Sequence, residues 1–215
     1  MTPRLSQHFL ADSRTAARIA DALRAPEGAR VLEIGPGRGA LTRHLLERPW
    51  RVTAVELDEA LAERLEERWG KRDDFTVVRA DALEYVLPSA PDGDPWWVIG
   101  NLPYAITSPL LFHLVDQVDD APVAEMVFMI QKEVAERLVA EPGTKARGSL
   151  TVGIGLVADV DALFHVPPGR FRPPPSVPST VVRLTPRDRT GSRRRTRRVR
   201  SLVQALFGQR RKQLQ

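Results

Sequence analysis

The sequence predicts an α/β fold, a mostly parallel sheet with helices on both faces. Two observations carry this. Apolar runs of strand length alternate with amphipathic stretches of helical period through the first two thirds of the chain. A glycine-rich turn also follows the first such run directly, as in strand–turn–helix units.

In order, Arg30 to Gly35 reads as a buried strand ending in glycine, and Ala40 to Arg48 as a helix with Leu41, Leu45 and Leu46 at helical spacing. A strand over Arg51–Leu57, a helix over Glu59–Trp69 and a strand over Phe75–Ala80 follow. A Pro/Gly/Asp-rich loop, Pro88–Pro95, leads into a strand Trp96–Gly100. A helix Pro109–Gln117, a strand Met126–Ile130 and a helix Lys132–Val139 continue the alternation. Beyond Pro142-Gly143, Ser149–Val157 and Ala162–Val166 read as strands, and Val181–Leu184 closes the body. Between them Val166-Pro167-Pro168 and Phe171-Arg172-Pro173-Pro174-Pro175 form a stiff, extended loop. The expected domains are 1–186, and 187–215 as a basic linker with the first part of a truncated helical domain whose helix begins at Val199.

Composition excludes several chemistries. There is no cysteine, so disulfides, thiolate zinc sites and cysteine nucleophiles are absent. The four histidines, His8, His44, His113 and His165, show no metal-ligand spacing, so no metal is expected. No apolar run approaches the ~20 residues of a membrane span, and no signal-peptide core follows Met1, so the expected location is cytoplasmic with no membrane partner. Charge is uneven. From Arg183 onward twelve Lys/Arg face one acid, Asp188, leaving residues 1–182 at −6 within a chain of net +5. A basic tail on an acidic body suits a polyanionic partner, or simply a solvated end.

The turn Gly35-Pro36-Gly37-Arg38-Gly39 lets the backbone approach a ligand at the start of a helix. Glu56 ends the next strand, where a carboxylate can accept from both ribose hydroxyls. These two features alone fit a nicotinamide dehydrogenase equally well. Asp81, at the end of the third strand, either accepts from an adenine amino group or caps a helix over Ala82–Tyr85.

Asn101-Leu102-Pro103-Tyr104, at the end of the fourth strand, is more specific. The exocyclic amine of adenine is a poor nucleophile because its lone pair is delocalised into the ring. Two acceptors drawing its N–H bonds out of the ring plane would free that lone pair. The Asn101 side-chain carbonyl and the Leu102 main chain can supply them. Pro103 stiffens the turn and Tyr104 offers a stacking face. Read plainly, the same residues are an ordinary turn with a core tyrosine.

Further motifs occur in order: Ser6-Gln7-His8-Phe9-Leu10, Gln131-Lys132-Glu133, Val166-Pro167-Pro168 with Phe171, Pro173-Pro174-Pro175-Ser176-Val177 and Gln209-Arg210-Arg211-Lys212. As an ordered set with the turns above, they resemble the ribosomal RNA adenine dimethyltransferases, most closely the bacterial kasugamycin-resistance type acting on small-subunit RNA. The resemblance runs from about Ser6 to the chain end and implies a Rossmann-like, class I S-adenosylmethionine-dependent methyltransferase. It implies S-adenosylmethionine as methyl donor, and N6,N6-dimethyladenosine at two adjacent positions of a hairpin loop near the 3′ end of 16S rRNA as product. The implied partner is 16S rRNA in the small ribosomal subunit or its precursor, met by a monomer. Carried onto this sequence, His8, Leu10, Gly35, Gly37, Glu56, Asp81 and Asn101 hold the cofactor. Asn101, Leu102, Pro103 and Tyr104 present the base, with Phe171 on its other side and Arg170 and Arg172 on phosphates.

Leu102, where the erythromycin-resistance methyltransferases of large-subunit RNA usually have Ile, and the Gln131-Lys132-Glu133 run favour the small-subunit type. His8 stands where many members have Asn, and Arg147 where an aromatic is common. A DNA adenine methyltransferase, which usually carries Asp/Asn-Pro-Pro-Tyr here, and a non-catalytic subunit-assembly factor are the competing readings.

Overall fold

The computed structural model describes residues 8–89, 93–118 and 120–187. The chain enters through a two-residue strand β1 (Phe9–Leu10) and a helix α1 (Ser13–Asp21). It continues as β2 (Arg30–Ile34), α2 (Thr42–Leu45), β3 (Arg51–Glu56), α3 (Glu59–Trp69), β4 (Phe75–Arg79) and β5 (Trp96–Asn101). Then come α4 (Thr107–Gln117), β6 (Val123–Gln131), α5 (Lys132–Leu138), α6 (Ser149–Gly155), β7 (Ala158–Val166), β8 (Phe171–Arg172) and β9 (Ser179–Pro186).

Seven strands form one sheet in the order β4-β3-β2-β5-β6-β9-β7, and β1 pairs with β8 in a separate ribbon. The strands β4 to β6 along that order pair in parallel, and β9 joins β6 and β7 antiparallel. Both faces are covered, which explains the near-continuous apolar strands. Leu32, Ile34, Val98, Met126 and Phe128 face a core with α4, α5 and α6. Val31, Val52, Ile99 and Val127 face another with Ile19 of α1, Leu45 of α2 and Leu65 of α3. From β2 the chain winds out to β4, then returns to β5 on the other side of β2. The carboxyl ends of β2 and β5 therefore bound the crevice where such sheets bind ligands.

Two expectations change. Ser149–Val157 is a helix over Ser149–Gly155, not a strand. Leu150 and Ile154, four residues apart, are buried in the core on the α4–α6 face, and Thr151 Oγ1 accepts from the Gly148 N–H at 3.1 Å. Tertiary burial of that i,i+4 pair overrides the strand preference of its branched residues. The helix expected over Ala40–Arg48 contracts to the four residues of α2, flanked by turns. The sequence pattern also left α1 and the β1–β8 ribbon undetected. The linker, the Val199 helix and all of the basic tail after Arg187 lie outside the described residues.

The tail's first two cations serve the fold. Arg187 pairs with Asp159 at 2.5 Å. Arg183, in β9, lies 3.3 Å through Nε from the Glu125 carboxylate, out of line for a hydrogen bond, and donates through Nη2 to the Ala22 carbonyl at 2.6 Å. Glu125 is 2% exposed and also accepts from the Arg24 main-chain N–H and side chain. This one carboxylate joins the end of α1 to β6 and β9. Glu125→Ala leaves Arg183 without its counter-charge and is expected to cost about 3–5 kcal/mol in urea unfolding. An unchanged midpoint would show that β9 holds without the pair.

Candidate functional site

A cavity of about 690 Å³ opens at the carboxyl ends of β2, β3, β4 and β5, within the range of small-molecule and cofactor sites. Every residue assigned above to cofactor or base lines it: His8, Leu10, Gly35, Gly37, Glu56, Asp81, Asn101, Leu102, Pro103, Tyr104 and Phe171. Arg170 and Arg172 do not. Arg170 is paired with Asp12 at 2.9 Å, and Arg172 donates to the Phe171 and Gly169 carbonyls.

The glycine turn after β2 sits in the left-handed region at Gly35, Gly37 and Gly39, with φ of 64°, 57° and 76°. At Gly39 a Cβ would also stand 2.5 Å from the Trp69 ring. The Gly37 N–H donates to Glu56 Oε2 at 3.0 Å, and Glu56 Oε1 accepts from the Asp58 N–H at 2.9 Å. One buried carboxylate thus ties the turn after β2 to the start of α3, where Asp58 caps Leu61. Each oxygen keeps a lone pair for a diol, so Glu56 can grip a ribose without moving.

Asp81 caps no helix. Its Oδ1 accepts from the Leu83 N–H at 2.8 Å in a single turn over 82–84. The side chain is held by one oxygen, and the residue lines the cavity.

The turn after β5 is held from three sides. The Leu102 N–H donates to the Met129 carbonyl at 3.1 Å, and the Leu102 side chain is buried in the core. Thr107 Oγ1 and the Ile106 N–H both donate to the Pro103 carbonyl, which leaves Leu102's as the turn's second acceptor. Asn101 Nδ2 donates to the His8 carbonyl at 3.3 Å. With the amide nitrogen so occupied, Oδ1 is the end left for a donor in the cavity. The His8 ring meets the Pro173 carbonyl at 2.9 Å and lies 5.7 Å from the Tyr104 ring, whose hydroxyl meets Ser179 at 3.1 Å. Phe171 is 1% exposed and packed in the core with Leu10, so it backs the cavity as a fixed wall and presents no open face for the base stacking expected of it.

The remaining histidines have structural partners. His44 bridges Ser13 and Glu47, His113 meets the Tyr85 carbonyl and His165 meets Thr180. Among the described residues no cluster of His, Asp or Glu is arranged to hold a metal ion. No helix among them is long and apolar enough to cross a membrane.

Among the lining residues that sequence reasoning passed over are Glu33 and Arg38. For Glu33 the signal was a carboxylate inside an otherwise continuous apolar strand. Its side chain is buried, and Oε2 has no partner among the described residues. Burial pushes its carboxyl up to about 8; Thr42 beside it works the other way, and the negative Glu56 adds to the rise. The neutral acid is the resting form at pH 7.

The residues fit a ligand with a nucleoside end and a cationic end. Glu56 suits the ribose, Asp81 the base, and the acidic walls a positive centre. The family described as "Ribosomal RNA adenine dimethylase" matches residues 1–215. A relative from Xanthomonas oryzae pv. oryzae, "Ribosomal RNA small subunit methyltransferase A", is 46% identical over 211 residues, 98% of this chain and 80% of its own length. Among solved structures, a dimethyladenosine transferase from Plasmodium falciparum matches with a TM-score of 0.79 and 29% identity, over 96% of this chain and 73% of that one. The 23S rRNA methyltransferase ErmE matches at 0.74 and 33%, over 93% and 79%.

The raised Glu33 carboxyl sets a pH dependence. Its ordinary value is 4.5, so the folded chain holds this proton more tightly than the unfolded chain. Stability falls as pH rises from about 4.5 towards about 8 and then levels off. Glu33→Gln should unfold in urea like the parent near pH 4 and be roughly 2–4 kcal/mol more stable above pH 8. Equal stabilities across that range would show the carboxyl to be hydrated. The parallel sheet, the switch-point cavity and these matches place the chain among the class I S-adenosylmethionine-dependent methyltransferases, and it belongs to the ribosomal RNA adenine dimethylase family.

Proposed function

We propose that the chain transfers methyl groups from S-adenosylmethionine to N6 of two adjacent adenosines in a hairpin loop near the 3′ end of 16S rRNA, giving N6,N6-dimethyladenosine. The observation that carries this is the Asn101 amide, which lines the cavity and donates through Nδ2 to the His8 carbonyl, leaving Oδ1 as its acceptor end. When bound, S-adenosylmethionine supplies a methyl group already activated by its sulfonium, so an in-line displacement needs no enzyme nucleophile. What remains for the protein is alignment.

Glu56 and Asp81 hold the nucleoside end of the donor. Asn101 Oδ1 and the Leu102 carbonyl accept the two N–H bonds of the target amine, turning its lone pair towards the methyl. Pro103 and the buried Leu102 side chain stop that turn from relaxing, and Tyr104 supports the base from one side with Phe171 behind it. After one transfer the amine keeps one N–H, so the same acceptors orient it for the second. A loop nucleotide is the cheapest to turn out of its stack into such a pocket.

The partner is ribosomal RNA. Its context within the small subunit or a precursor, and a monomeric enzyme acting in the cytoplasm, complete the proposal. The likeness to ErmE favours a second reading, methylation of 23S rRNA. Leu102 and the Gln131-Lys132-Glu133 run speak for the small subunit.

Under-methylated small subunits incubated with the chain and S-adenosylmethionine should yield 16S RNA with dimethyladenosine at two adjacent loop positions by mass spectrometry. Product in 23S RNA alone would overturn the small-subunit assignment. Asn101→Ala should lower methyl transfer by about 10²-fold while cofactor affinity stays within about threefold. Equal losses in both would make Asn101 a cofactor ligand only.

A further inference from the structure

The charges around the cavity are lopsided. Glu56, Asp58, Glu59, Glu63 and Asp81 line it beside the neutral Glu33, and Arg38 is the one permanent cation of that lining among the described residues; Arg79, outside the lining, pairs with Glu59 and Glu63. Although it shares this lining with those carboxylates, Arg38 enters none of the ion pairs formed by the described residues. It is exposed, and its guanidinium lies 4.4 Å from the centroid of the Phe9 ring.

That ring is a fixed platform. Phe9 pairs with Arg172 in the β1–β8 ribbon and lies so close to the glycine turn that a Cβ at Gly37 would stand 3.1 Å from it. A guanidinium stacked on an aromatic face keeps its in-plane N–H fork for a planar anion. Arg38 is therefore held at the cavity edge with its donors unspent.

We propose that Arg38 is the anchor for the α-carboxylate at the amino-acid end of the cofactor, and that it makes the site selective for ligands carrying that end. This rests on the reading of the cavity as an S-adenosylmethionine site. The charge inventory favours it. The ligand has two positive centres, sulfonium and ammonium, which suit the acidic walls, and one negative centre, which those walls would repel. Arg38 meets that single repulsion. An RNA phosphate is the less suitable anion, since a polyanion gains nothing from a cavity edged by Asp58, Glu59 and Glu63.

Calorimetric titration of the full chain with three uncharged-sulfur probes tests this without any turnover. S-adenosylhomocysteine carries the whole amino-acid end, its decarboxylated analogue keeps only the ammonium, and 5′-methylthioadenosine has neither. Arg38→Gln should weaken S-adenosylhomocysteine by about tenfold or more and leave the other two within about twofold. Arg38→Lys, which keeps the charge, should recover part of the loss. An unchanged affinity for S-adenosylhomocysteine, or a uniform loss for all three probes, would overturn the assignment. So would weaker RNA binding with unchanged S-adenosylhomocysteine affinity, which would make Arg38 a phosphate contact. A parent chain that binds none of the three overturns the cofactor reading itself, and that outcome is distinct from a failure confined to the variant.

Discussion

The site depends on the hydrogen bond that the Asn101 side chain donates to the His8 carbonyl. An amide has a donor end and an acceptor end, and only the acceptor end can draw out the N–H bonds of an adenine amine. Which end faces the cavity is decided 93 residues away in sequence, by where the entering strand places one carbonyl. That placement rests on the β1–β8 ribbon, with Leu10 opposite Phe171 and both buried, and on the Asp12–Arg170 pair beside it. Phe171 thereby braces the turn after β5 while also backing the cavity.

A second constraint is electrostatic. Four strands of a parallel sheet end at one crevice, and residues at or near their ends bring Glu33, Glu56, Asp58 and Asp81 together in a partly dry space. Glu56 remains anchored because two backbone N–H groups meet it. Glu33 is fully buried with Oε2 unpartnered among the described residues; burial outweighs the opposing effect of Thr42 and keeps it neutral, which lowers the mutual repulsion of the set. A positive ligand reverses that balance, so the geometry that costs stability in the free protein favours a sulfonium cofactor in the loaded one.

Much of this was legible in the sequence for physical reasons. Strands buried on both faces are continuous apolar runs, so β2, β3, β5 and β6 announced themselves. In a parallel sheet the residues after them converge, so Gly35, Glu56, Asp81 and Asn101 could be placed at one crevice before any coordinate was known. What depended on long-range packing was not legible. A two-residue ribbon has no period to detect, so β1 and β8 were missed, and with them the carbonyl that orients Asn101. The run Leu150-Thr151-Val152-Gly153-Ile154 reads as a strand by composition but is a helix because Leu150 and Ile154 share one buried face. Arg183 counted as tail charge, yet its partner is a buried glutamate on a neighbouring strand.

The central claim is the orientation of one amide. A crystal structure of the chain with S-adenosylhomocysteine and adenosine in the target pocket tests it most directly. The account predicts Asn101 Nδ2 still on the His8 carbonyl, with Oδ1 and the Leu102 carbonyl both within hydrogen-bond distance of the adenine N6. An adenine whose N6 meets neither oxygen, or an Asn101 released from His8 with its nitrogen towards the base, would contradict it.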